Sequence, residues 1–245
     1  MFTTYLVNPL YNGFVALLDI LPTPDAGVGV ILFTIIVSAA LYPLSKKALV
    51  TQVRMRMYEG EMAEVKEKYK NNKEEQARQL LAFYKQKGIN PFSSIFLVIL
   101  QIPIIIALYY VFLHAGLPEI DAARLYSFVP VPEAISMKLF GLFDIAGKNI
   151  ILALLAGAAQ FIQGWFSPTM AASTAPKKNT PPSFEESLAS SMRVQTRYFL
   201  PLIIILISYQ YSGVIALYFM TRSLFMFGQE LAMKPSRTTS QIQTI

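Results

Sequence analysis

The stretch PFSSIFLVILQIPIIIALYYVFL, residues 91–113, runs for 23 residues without a charge. A helix needs about 20 predominantly apolar residues to cross a bilayer, so this block is long enough to span one. Working outward from it, four further blocks approach or reach spanning length, at residues 27–44, 149–167, 198–211 and 212–230. The block at 198–211 is short, and its Pro201 lies near the start, where a helix tolerates proline. The chain as a whole is 54% hydrophobic and 15% charged, with a mean hydropathy of +0.44. Soluble domains carry about a quarter charged residues. These features predict an all-α membrane protein with five transmembrane helices.

Charge placement orients the spans. Of the 21 lysines and arginines, eleven lie between Lys46 and Lys87, four between residues 168 and 197, and two in the tail. Only Arg124, Lys138 and Lys148 fall in the 114–148 segment, and none precedes Lys46. Basic residues mark cytoplasmic loops. The distribution therefore predicts an external N-terminus and a cytoplasmic C-terminus. The absence of an early basic residue also argues against a secretory signal peptide.

The segments between the spans differ in kind. In residues 1–26, Leu10, Phe14, Leu17 and Leu18 recur at helical spacing, which predicts an amphipathic helix on the outer surface. Asn8, Asn12 and Asp19 argue against a sixth span there. Residues 45–90 are long, mixed in charge and helical in period, with Asn71 and Asn72 as the natural turn and Gly88 as the natural stop. They predict a cytoplasmic helical hairpin rather than a plain connector, because ordered insertions of this length are usually functional. Residues 114–148 form an extracytoplasmic loop. Residues 168–197, rich in Ser, Thr, Ala and Pro, read as a flexible cytoplasmic loop, and residues 231–245 as a polar tail.

Composition narrows the chemistry. The chain has no cysteine and one histidine, His114. Disulfides, thiol catalysis and His or Cys metal clusters are therefore excluded. No catalytic set stands within the spans, so neither an enzyme nor a cofactor is expected. No internal repeat is visible, which weighs against an inverted-repeat transporter.

Polar residues inside spans are the candidates for function. Thr34 and Ser38 share one face of the first span, Gln101 lies in the second, Gln160 and Gln163 in the third, and Thr221 and Arg222 in the fifth. Singly, Thr34, Ser38 and Gln163 read as interhelical hydrogen bonds of about 0.6–2 kcal/mol. Arg222 is different. A charge at that depth costs about 2.5–3.5 kcal/mol on insertion scales, and it lies roughly 10 Å short of its span's inner end, too deep to snorkel fully. With the fifth span taken to end at Gln229 and so no acidic residue read inside the spans, it predicts a water-accessible cavity open to the cytoplasm, lined by Arg222, Gln101 and Gln160.

Several stretches together resemble the YidC/Oxa/Alb family of membrane-protein insertases. NPFSSIFLVILQIPIIIALYYVF, preceded by LLAFYKQKGI, is similar to the family's second span. ALYPLSKKALVTQVRMRM resembles its first-span exit, ILALLAGAAQFIQGWFSP its third span, and LPLIIILISYQYSGVIALYFMTRSLF its last two. The resemblance covers residues 8 to 232 in order, and the short external N-terminus is similar to members without a large periplasmic domain. It implies five spans around a hydrophilic groove open to the cytoplasm, beneath a cytoplasmic hairpin, in a prokaryotic cell membrane. The implied partners are nascent membrane proteins and the lipid bilayer, with or without the Sec translocon and often beside a ribosome; no nucleic-acid recognition is expected.

The family typically carries an arginine in the first span, five residues before the proline that is Pro43 here. That position is Ser38. Ser38 and Arg222 lie at similar depth by the helical rise, so the groove is read here as Arg222, Ser38, Thr34, Gln101, Gln160 and Thr221, with its cation moved to the fifth span. On the hairpin, Arg54, Met55, Arg56, Met57 and Met62 are expected to receive the incoming chain, since flexible methionine surfaces accept varied apolar partners. The rival readings are a small anion transporter or channel subunit that uses Arg222 as its anion site, and a scaffold that binds partner spans.

Overall fold

The computed structural model describes residues 3–90, 119–132, 134–167 and 195–232, together with Pro103, Ile106, Ala107, Tyr110 and Val111. Most of the block at 91–113, including Gln101, and the segments at 168–194 and 233–245 lie outside the described residues. The described residues form eight α-helices: α1 (Asn8–Ile20), α2 (Ala26–Ala40), α3 (Tyr42–Met57), α4 (Glu59–Lys68), α5 (Lys73–Gln86), α6 (Ile150–Phe166), α7 (Leu200–Gln210) and α8 (Gly213–Ala232). Single π-helical turns, Thr3–Val7 and Gln195–Phe199, lead into α1 and α7. A small antiparallel hairpin pairs β1 (Lys138–Leu139) with β2 (Phe143–Asp144). Its turn holds Phe140 at φ 52° and Gly141 at φ 72°, the paired positive angles of a tight primed turn. The protein is mostly helical, as its composition implied.

Asp25 fixes the start of α2. Its carboxylate accepts from Gly27 N at 2.8 Å and Val28 N at 3.1 Å, an N-cap, and from Phe140 N at 2.7 Å, which ties the β-hairpin to the helix. α2 stops at Ala40 because Pro43 has no N–H to donate to the carbonyl four residues back. The chain then bends by 61° into α3. Among the described residues no single helix is long and apolar enough to cross a membrane; the bent pair α2–α3 passes on length and composition. α8 has 20 residues but carries Arg222, Gln229 and Glu230, which lower its hydropathy.

α8 is the hub, packed against α6, α2 and α7, and α1 lies on α2. The core is built from Phe14, Val15 and Leu18 of α1, Val30 and Phe33 of α2, Ile145 and Leu152, and Val214 and Leu217 of α8. Phe14 and Phe33 meet edge to face at 5.5 Å. The sequence reads α1 as an amphipathic helix on the outer surface; in the structure its stripe Tyr11, Phe14, Val15 and Leu18, with Val7 just before it, is buried against α2 and the segment after residue 119. Asn12, read from sequence as a polar interruption, is buried there: Nδ2 donates to Asn8 O and Arg124 O, and Oδ1 accepts from Tyr126 N. Tyr11 Oη accepts from Asp121 N at 2.8 Å.

α6 and α7 pack inside out. Small residues Ala153, Ala156, Gly157 and Ala159 face inward on α6, while Ile151, Leu154, Leu155 and Ile162 are exposed. α7 likewise exposes Leu202 and Leu206. Small residues at helix contacts with large apolar ones turned outward suit packing in lipid, whereas soluble monomers rarely expose so continuous an apolar face.

Candidate functional site

The cleft between the α2–α3 bend and α8 holds the candidate site. It is small and open, lined by Ser38 and Leu41 on one side of the bend, Ser45 on the other, and Arg222, Phe225, Met226 and Gln229 of α8. The four α8 residues stand at i, i+3, i+4 and i+7, one face of a helix. The bend positions Ser45: its Oγ lies 3.1 Å from Gln229 Oε1, an α3–α8 link in the cleft floor. Ser38 is buried and Arg222 half-buried. Among the described residues Arg222 forms no ion pair, and Gln229 Nε2 is buried without a partner. One cation, two serines and a glutamine thus share a small cleft with Leu41, Phe225 and Met226.

The structure brings Ser38 and Arg222 to this cleft and puts Gln160 elsewhere. Gln160 belongs to the α6–α8 seam, where its Oε1 accepts from Ser223 Oγ at 2.9 Å and its Nε2 donates to Gln163 Oε1 at 3.0 Å. Gln163 Nε2 continues the chain to Glu230 Oε1 at 2.9 Å. The reason is helical geometry: Ser223 follows Arg222 by about 100° of rotation and so faces a different neighbour. Thr34 is buried and returns its hydroxyl to Val30 O at 2.6 Å within its own helix. Thr221 is buried on α8. Gln101 lies outside the described residues.

Glu230 corrects the reading that the spans hold no acid. α8 continues to Ala232, which carries Glu230 into the helix and buries it. Its partner is Gln163, not Arg222, from which it stands roughly 12 Å along the axis. Sequence reasoning also passed over Ser45 and Gln229. The i, i+7 spacing of Arg222 and Gln229 was the available signal for the second. Nothing local marked the first, because its contact depends on the bend.

The α4–α5 hairpin is held by its own contacts. Asn72 caps α5 by accepting from Glu75 N at 3.1 Å, Gln76 donates to Lys66 O across the arms, and Gly88 ends the unit at φ +62°. At its base Lys87 Nζ lies 2.7 Å from Glu61 and 4.4 Å from the Tyr58 ring centroid, and the Glu61 carboxylate raises the lysine above its ordinary pKa. Of the residues expected to receive a substrate, Met57 is 54% exposed and Met62 is buried. Met55 is half-buried, and Arg54 donates to Gly88 O at 3.3 Å. The Arg56 side chain lies outside those described. Of the three methionines expected there, Met57 is the exposed one.

Residues 19–240 match the family described as 60Kd inner membrane protein. The chain is 30% identical over 213 residues to the membrane protein insertase YidC of Clostridium tetani, covering 87% of this chain and 83% of that protein. It is 32% identical over 153 residues to the protein of that name from Clostridium perfringens, covering 62% of this chain and 58% of the relative. A third, from Histophilus somni, is 25% identical over 206 residues, where the chain covers only 32% of the relative's length. With a family match through nearly its whole length, the chain belongs to the YidC/Oxa/Alb family of membrane-protein insertases.

Proposed function

We propose that the protein inserts other membrane proteins into a prokaryotic cell membrane, with the Arg222 cleft as part of a hydrophilic groove. The observation that carries this reading is the half-buried Arg222 facing Ser38 across one cleft in a helical, outwardly apolar protein. Moving a polar segment through lipid is costly because its backbone loses water. A wet cleft part-way through the bilayer shortens the apolar path, and a cation in it attracts acidic translocated tails. The substrate's apolar helix then slides sideways into lipid without a nucleotide-driven step. In this reading the α4–α5 hairpin faces the cytoplasm and receives nascent chains, alone or beside the Sec translocon and the ribosome.

The cation is the testable part. In a depletion strain complemented with this chain, Arg222→Ala should reduce insertion of substrates with acidic tails and spare those with neutral tails. The double change Ser38→Arg with Arg222→Ser should restore part of that activity, since both positions line the same cleft. If Arg222 merely snorkels, the single change will be silent. The double change would then add only the insertion cost of about 2.5–3.5 kcal/mol. Full activity of Arg222→Ala on acidic-tailed substrates would refute a role for the relocated charge.

A further inference from the structure

The exposed apolar face of α6 and α7 ends in a cluster of different chemistry. The Arg197 guanidinium carbon stands 4.3 Å from the Trp165 ring centroid. Phe161 lies 5.7 Å from Trp165 and 6.1 Å from Tyr198, ring to ring. Trp165 is 47% and Tyr198 54% exposed, and Arg197 is half-buried. At the opposite end of the same helix pair, Lys148 Nζ is 5.8 Å from the Tyr209 ring. The apolar stripe of Leu154, Leu155, Leu202 and Leu206 is thus bounded at both ends by a cation set against an aromatic ring, the arrangement expected where hydrocarbon gives way to headgroups.

We propose that Arg197, Trp165, Phe161 and Tyr198 form a binding site for the headgroup of an anionic phospholipid, whose acyl chains lie along the α6–α7 stripe. Charge complementarity selects the occupant. A guanidinium offers a planar fork of donors that matches a phosphate bidentately while its face stays on an indole. The rings beside it are amphipathic or apolar and suit the upper acyl chain and glycerol. A protein partner would have to cover the whole stripe, whereas a lipid follows it by length. The site lies on the α6–α7 face, away from the Arg222 cleft, so its test does not depend on insertion activity.

Trp165 is the sole tryptophan of the chain, and it reports the site directly. The full chain is reconstituted in phosphatidylcholine vesicles that contain a minor fraction of either brominated phosphatidylglycerol or brominated phosphatidylcholine. Brominated phosphatidylglycerol should quench Trp165 at least twofold more than the zwitterionic lipid at equal fraction. Arg197→Gln should abolish that preference, and Lys148→Gln, at the far end of the stripe, should leave it unchanged. In the unmodified chain, raising the salt should reduce the preference, a check that needs no variant to fold. Equal quenching by the two lipids in the unmodified chain, or a preference that survives Arg197→Gln, would overturn the proposal.

Discussion

At Gly157 the backbone of α6 comes so close to α7 that an added Cβ would strike the Ile205 side chain and stand 3.3 Å from the Pro201 carbonyl oxygen. The carbonyl is backbone and cannot swing aside. Gly157→Ala should therefore destabilise the α6–α7 seam by about 1–3 kcal/mol, the range for overpacking. A lowered melting temperature in detergent reads this out, and an unchanged one would mean that the helices part without cost. Residues of this kind were only partly legible in the sequence. Arg222 announced itself as the one charge in an apolar run. Glu230 did not, because its burial needs α8 to continue past Gln229 and needs Gln163, 67 residues away, on the facing helix. Gln160 was legible as a polar residue in a span, but its neighbour was not, since a rotation of about 100° separates a cleft from a seam.

Helices and their ends were easier to read than their partners. Asn72 and Gly88 obey local rules, a side-chain cap and a positive φ, that require no knowledge of the rest of the chain. Pro43 likewise accounts for the end of α2. The faces of the hairpin were harder. Its arms bury Met62 and Phe83 and leave Leu81 exposed, a division set by which arm meets which, with weak apolar periodicity to announce it. The hairpin's stability comes from contacts within and at the base of the unit, notably the Tyr58–Phe83 pair at 6.1 Å and the Lys87–Glu61 bridge at 2.7 Å. Deleting residues 66–85 should thus leave the remaining helices folded while reducing delivery of substrates. A protease-resistant, membrane-inserted core with impaired insertion activity is the expected result. Undiminished insertion would reduce the segment to a connector.

On the scale of the molecule, α1 and the residues after 119 meet through Asn12 and Tyr11, and the start of α2 meets the β-hairpin through Asp25. The N-terminus and the 119–148 segment therefore share one end of the helix assembly. The proposed topology, drawn from the basic-residue distribution, puts that end outside and residues 45–90, with their eleven lysines and arginines, in the cytoplasm. Because the chain has no cysteine, Ser127→Cys and Asn179→Cys can be labelled singly with a membrane-impermeant reagent. The two should react from opposite sides. Labelling from one side alone would break the proposed topology and the groove with it. Helical class and family were legible along the chain because apolar blocks and motifs are local. The cleft was not, because it is assembled from a bend at Pro43 and a helix that begins 170 residues later. Insertion itself is tested most directly by placing the purified full chain alone in liposomes and supplying a single-span substrate with an acidic tail. The account predicts that the tail becomes protected from external protease in vesicles with the protein and stays accessible in vesicles without it. Equal accessibility in both, with the protein shown to be correctly reconstituted, would contradict the account.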